Sequence, residues 1–325
     1  MNPNGLLAAV LLCGGCVAGN DGVADAPPVA EGYAVAPDSV RLWYRVVGDG
    51  RRTVIVPNAL FHGDRLDSLA WSGWRVVLYD PRGRGRSDSV PAGKLSLDHN
   101  VADVEVIRTA VVADSAALIG WSGMGMELFV YALRHPHRVT RLVQLAPVAP
   151  RWVPWSDSLI SSRQARTDTA AVGRLRARVS AGEFAGEEAG LCREMARIQG
   201  PASFGDTSLV QSAPDVCHLP NEWPSRIGSY FAVFLPTLGQ FDWRPDLSRV
   251  AIPRLVIHGA RDNTPLAGNR EWVAGQPNAR LLVIPEAGHW PHYERPEPTL
   301  SAIRVFLDGL WPAGSLEVPE PAPTR

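Results

Sequence analysis

Three side chains stand out for the chemistry their types could do together: Ser122, Asp262 and His289. A serine hydroxyl is too weakly acidic to attack a carbonyl unaided. An imidazole titrating near neutrality can take its proton and return it, and a carboxylate can hold that imidazole in the right tautomer and stabilise its charged form. Such a trio would open an ester or amide through an acyl-serine intermediate. Each residue follows a short apolar run. Ser122 comes straight off Leu118-Ile119-Gly120-Trp121, Asp262 follows Leu255-Val256-Ile257-His258-Gly259, and His289 lies in a loop after Leu282-Val283-Ile284. Taken alone, Ser122 reads better as a helix N-cap, Asp262 as a turn or cap residue and His289 as a surface-loop histidine; the common placement carries the signal.

The elements that must position them can be read from periodicity. Apolar runs at 53–56, 76–79, 116–120, 142–145, 254–257 and 281–284 are continuous rather than alternating, as in strands buried on both faces. Helical spacing lies between them: Val104, Ile107 and Val111; Met126, Phe129, Val130 and Leu133; Leu300, Ile303, Phe306 and Leu310. Alternating strand and helix predicts an α/β fold with a largely parallel sheet covered by helices on both faces. A hairpin is expected over 32–47, turning at Pro37-Asp38-Ser39. From Pro147 to Arg249 the rhythm breaks into Trp- and Pro-containing helical segments, an insertion of lid type. The resulting division is a signal-like segment and tether over 1–30, core over 31–146 and 250–311, lid over 147–249 and a flexible tail over 312–325.

Composition excludes some functions. Lys+Arg number 32 against Asp+Glu 33 in 325 residues, so no global field favours nucleic acid or an anionic surface. A hydrophobic share of 46% supports a sizeable core. The expected partner is a small molecule or short peptide, and neither a cofactor nor a metal is called for. The N-terminal run Leu6 to Leu12 suits a signal segment but is too short to span a bilayer. Cys13-Gly14-Gly15-Cys16 after it points to export with a lipid anchor on Cys16. An ordinary cleaved signal is the alternative, and a mis-set start would make the protein cytoplasmic. Cys192 and Cys217 remain in the mature part, either as a disulfide or as two buried thiols.

Further motifs make the resemblance specific. Asp80-Pro81-Arg82-Gly83-Arg84-Gly85-Arg86-Ser87-Asp88, Tyr131-Ala132-Leu133-Arg134-His135-Pro136, and Gly288-His289-Trp290 with Glu294-Arg295-Pro296 resemble the α/β-hydrolase superfamily, as does the order Ser, Asp, His. The resemblance covers about Val40 to Leu310 outside the lid. It implies the α/β-hydrolase fold, with Ser122 as nucleophile at a strand-to-helix turn, Asp262 as the acid and His289 as the base. It further implies an oxyanion hole made by the N–H of Ala59 or Leu60 with that of Gly123, because Pro57 has no amide hydrogen. Two positions depart from the family pattern. Met124 replaces a glycine two residues after the nucleophile, and is expected to place its side chain between helix and strand; Val56-Pro57-Asn58-Ala59-Leu60 replaces the usual His-Gly segment.

Trp121 and Trp290 flank the trio, and Trp152, Trp155, Trp223 and Trp243 fall in or beside the lid, as pocket walls or as core. Three functions stay open. The first is hydrolysis of small carboxylic esters. The second resembles prolyl iminopeptidases, with Glu222, or Glu183, Glu187, Glu188 or Glu194, holding a substrate amino group. The third is non-catalytic binding on a hydrolase scaffold.

Overall fold

The structure, a computed structural model, describes residues 28–319. The signal-like segment with Cys13 and Cys16 lies outside them. Val29–Val35 (β1) and Arg41–Val47 (β2) form the expected antiparallel hairpin. Its turn closes where Ser39, at φ 70°, donates its N–H to Ala36 O. The apolar runs become Arg52–Pro57 (β3), Trp74–Tyr79 (β4), Ala116–Trp121 (β5), Val139–Leu145 (β6), Arg254–Gly259 (β7) and Ala279–Ile284 (β8). The strand order is β1-β2-β4-β3-β5-β6-β7-β8. β2 meets β4 antiparallel, and every later pairing is parallel.

Continuous apolar sequence is required because successive residues feed opposite cores. Ile55, Leu118, Leu142 and Val256 pack on one face of the sheet, while Val54, Val56, Ile119, Val143, Leu255 and Ile257 pack on the other. The first face is covered by Leu97–Ala110 and Gly123–Arg134. These are α2 and α3, following the short α1 at Ala59–His62. Val101, Val104, Ile107, Met126 and Phe129 point inward from α2 and α3. Ser96 caps α2, its hydroxyl accepting from His99 N–H at 3.2 Å.

Between β6 and β7 the chain builds the lid from Trp155–Arg166 (α4), Thr169–Ser180 (α5), Glu188–Gln199 (α6), several short 3-10 turns and Pro224–Leu238 (α7). Where the lid leaves and rejoins the core, Trp152 N–H donates to Phe241 O at 2.9 Å and Trp243 N–H to Pro150 O at 2.8 Å. Cys192 of α6 and Cys217 form a disulfide with Cα atoms 5.6 Å apart, which decides between the two open readings. Of the lid tryptophans, Trp152 packs edge-on against Phe241 and Trp223 donates its indole N–H to Cys217 O, so these two serve lid packing, while Trp155 lies over Gly268 and seats the lid on the core.

After β7 come Leu266–Arg270 (α8), Pro291–Glu294 (α9) and Pro296–Leu307 (α10). Leu300, Ile303 and Phe306 of α10 fill the second core. The expected loose tail is not loose over 312–319. Leu316 exchanges backbone hydrogen bonds with Leu281 at 2.8 and 2.9 Å, and Val318 O accepts from Gly275 N–H at 2.9 Å. β8 is an edge strand, and its unpaired N–H and C=O groups supply the partners. Among the described residues no helix is long and apolar enough to cross a membrane.

Candidate active site

The turn between β5 and α3 places Ser122 at φ 56°, ψ −126°, a conformation that costs a non-glycine residue about 1–3 kcal/mol unless its surroundings hold it. They do: Ser122 N–H donates to Leu145 O at 2.9 Å, and Ser122 O accepts from Gly125 N–H at 3.1 Å. The helix then crosses so close to the strand that a Cβ on Gly120 would stand 2.6 Å from Met124 O and 2.7 Å from Gly125 N. A Cβ on Gly125 would meet Pro147 Cβ at 3.0 Å and Gly120 O at 3.1 Å. Close approach is therefore made by Gly120 and Gly125. Met124 is itself buried.

Asp262 and His289 converge on this turn. His289 Nε2 lies 3.0 Å from Ser122 Oγ, and His289 Nδ1 lies 3.0 and 3.2 Å from the two oxygens of Asp262. The carboxylate assigns the ring proton to Nδ1 and leaves Nε2 free to accept from the serine hydroxyl. Burial would raise the Asp262 carboxyl, whose side chain is fully covered. The facing His289, the more distant His258 and the Thr264 N–H, 2.8 Å from Oδ1, outweigh that and hold it below the usual carboxylate range. The lid braces the same loop, since Arg166 of α4 donates to the carbonyls of Arg261 and Asp262 at 2.8 and 3.3 Å.

After β3, Asn58 adopts φ 61°, a left-handed conformation asparagine tolerates, and starts α1. Among the described residues the Ala59 and Gly123 N–H groups donate to no protein acceptor, as expected for the first residues of helices. Leu60 does not fit the donor role. Its N–H is already given to Asp80 Oδ1 at 2.8 Å, while Asp80 Oδ2 accepts from Arg86 N–H at 3.0 Å. The buried Asp80 thus holds the turn that presents Ala59. Gly85, at φ 51°, permits this, because a Cβ there would sit 2.2 Å from Asp80 Oδ2.

Trp121 and Trp290 meet with ring centroids 4.1 Å apart, and the Trp121 indole donates to His289 O at 2.8 Å. Two aromatic neighbours escaped the sequence reading. Phe61 lies 5.5 Å from Trp121 and 5.9 Å from Trp290, and Phe204 of the lid stacks on Trp290 at 5.7 Å. Behind them, His62 and His292 are fully buried and share one contact of 3.3 Å; burial pulls His62 down to about 4.

Glu222, expected to bind substrate, is instead a clamp between lid and core. Its oxygens accept from Arg84 at 2.9 and 2.8 Å and from Gly85 N–H at 2.9 Å, with both side chains buried. Glu183 and Glu194 pair with Arg178, Glu188 accepts from Ser225, and Glu187 is exposed. No metal-holding group of three or more His, Cys, Asp or Glu occurs among the described residues.

The sequence profile of the alpha/beta hydrolase fold family matches residues 37–296, most of the chain and both halves of the core. The chain belongs to that family. A pimeloyl-[acyl-carrier protein] methyl ester esterase from Aromatoleum aromaticum is 30% identical over 77% of this chain and 97% of its own length. Among solved alpha/beta hydrolase structures, an esterase from Exiguobacterium antarcticum superposes with a TM-score of 0.63 at 17% identity, covering 85% of this chain and 99% of the other. A proline iminopeptidase from Mycobacterium smegmatis does so at 0.59 and 23%, covering 86% and 98%. At those identities the two structures speak to the fold. The chain is thus an alpha/beta hydrolase with esterase-like homologues.

Proposed function

We propose that this chain is a serine hydrolase acting on a small carboxylic ester through an acyl-Ser122 intermediate. The observation that carries the reading is the unbroken line from Ser122 Oγ to His289 Nε2 and from His289 Nδ1 to Asp262. Ser122 Oγ attacks the acyl carbon as His289 takes its proton. The oxyanion develops toward the Ala59 and Gly123 N–H groups, two donors of a kind that together lower such barriers by several kcal/mol. His289 returns the proton to the leaving alkoxide. Water, deprotonated by the same imidazole, then releases the acid and restores Ser122.

Ester is favoured over peptide because the lid carboxylates that could hold a substrate amino group are engaged or exposed, and the Trp121 ring packs 5.2 Å from that of His289. The methyl ester esterase among the relatives supports the same choice. The test pairs p-nitrophenyl esters with N-terminal aminoacyl anilides, for wild type and Ser122→Ala. Ester turnover that falls about a thousandfold or more in the variant, with an unchanged melt, is expected. Turnover within tenfold of wild type would reject Ser122 as nucleophile, and faster anilide cleavage would reject the ester. Export with a lipid on Cys16 belongs to the same proposal, and palmitate labelling of the exported protein tests it.

A further inference from the structure

Glu294 takes no part in the chemistry above, yet its carboxylate is buried, with the residue 3% exposed. Among the described residues it has no basic side-chain partner. It is held by backbone N–H groups from two separate segments. Oε1 accepts from Gly288 at 2.8 Å and Trp290 at 3.3 Å, the residues on either side of His289. Oε2 accepts from Gly205 at 2.7 Å and Asp206 at 3.1 Å, both in the lid. His289 N–H itself donates to Ser203 O at 2.9 Å, so the lid strip 203–206 runs along the histidine loop. The two backbones abut without room for side chains. A Cβ on Gly288 would stand 2.3 Å from Gly205 N, and one on Gly205 would stand 2.8 Å from Gly288 N. The same strip carries Phe204 onto Trp290.

We propose that Glu294 is a positioning residue that joins the lid to the His289 loop and thereby sets the direction of the imidazole between Asp262 and Ser122. This rests on the serine-hydrolase reading. Buried carboxylates bonded to several N–H groups make strong, charge-assisted contacts, and here the donors flank the base on one side and belong to the lid on the other. A neutral amide cannot replace it. Both oxygens of Glu294 face N–H donors, so Glu294→Gln must turn its own NH2 toward one pair and release either the lid strip or the histidine loop. Such small displacements of a base are costly to turnover.

The experiment compares wild type, Glu294→Gln and Glu294→Asp as full chains. Ser122 is titrated with a fluorophosphonate, so that turnover is counted per reactive serine and any misfolded fraction drops out. For Glu294→Gln a tenfold to hundredfold lower kcat per titrated site is expected, with a displaced acidic limb of the pH–rate profile. Glu294→Asp keeps the charge but loses reach and should fall between the two. The low-field proton resonance of His289 Nδ1–H should shift or broaden in Glu294→Gln. Per-site kcat within twofold of wild type with an unmoved acidic limb and proton resonance overturns the proposal. A wild type inert to every ester and to the probe overturns the hydrolase reading instead, and the resonance still decides whether Glu294 positions His289.

Discussion

Replacing Met124 by glycine restores the family's usual residue at the turn after Ser122, and the structure says it should do harm. The space that glycine serves elsewhere is already served by Gly120 and Gly125, whose added Cβ atoms would lie 2.6 and 3.0 Å from their nearest neighbours. Met124 is only 8% exposed, so Met124→Gly gives up about 2 kcal/mol of buried apolar surface. Glycine in a helix adds about 1 kcal/mol, and residues 123–125 would become three consecutive glycines. A loss of about 3 kcal/mol corresponds to about 6 °C in melting temperature for a chain of this size. Ser122 depends on the first turn of α3 to stay at φ 56°, so turnover should drop as well, by about tenfold. Thermal melts and ester hydrolysis of the two proteins side by side measure both. A variant that is more stable and faster would refute the argument, since it would mean that Met124 strains the turn.

Reducing the Cys192–Cys217 disulfide, which closes a sequence separation of 25, should cost about 3.5 kcal/mol by loop entropy. Melting with and without reductant, beside Cys192→Ser/Cys217→Ser, checks it; an unmoved midpoint, or two alkylatable thiols in non-reduced protein, counts against it. Glu127, buried on α3 with Asn100 as its side-chain donor, is pushed up by burial to about 8. Its folded value is raised, so the stability it lends is full below the unfolded carboxyl value of about 4.3 and is lost as pH rises through about 8. Glu127→Gln should therefore match wild type at pH about 4 and melt progressively higher than wild type up to pH about 9, a trend that parallel melts would expose as absent if Glu127 were ionised.

The strands were legible because each core strand must satisfy two apolar faces, and Val54-Ile55-Val56 splits its side chains between both cores. That requirement is local and leaves its mark in consecutive residues. Ser122, Asp262 and His289 were legible as residues following such strands, and the sheet brings them within hydrogen-bonding distance because β5, β7 and β8 run parallel and end at one edge. Phe61 and Phe204 were not, since Phe61 meets Trp290 edge-on and Phe204 stacks on it, which joins α1, the lid and the histidine loop, and nothing in any one segment announces the other two. The tail failed for a related reason: its composition reads as loose, but the open edge of β8 offers it partners.

The remaining misreadings share a cause in how polar groups are already used. Leu60 and Ala59 are neighbours with the same backbone donor, and only the Asp80 carboxylate, brought back by β4, distinguishes them by taking the Leu60 N–H. Glu222 looked free to hold a substrate amine until Arg84, 138 residues earlier, took both its oxygens. A buried donor or acceptor nearly always finds a partner, and a carboxylate finds several. Residue type therefore tells which chemistry a group could do, whereas its partners tell whether it remains available to do it. Asp80, Glu222 and Glu294 each have the same functional group as Asp262, and all four are buried. Of the four, only Asp262 is aimed at an imidazole that in turn faces a hydroxyl, and that difference is set by contacts with residues distant in the chain.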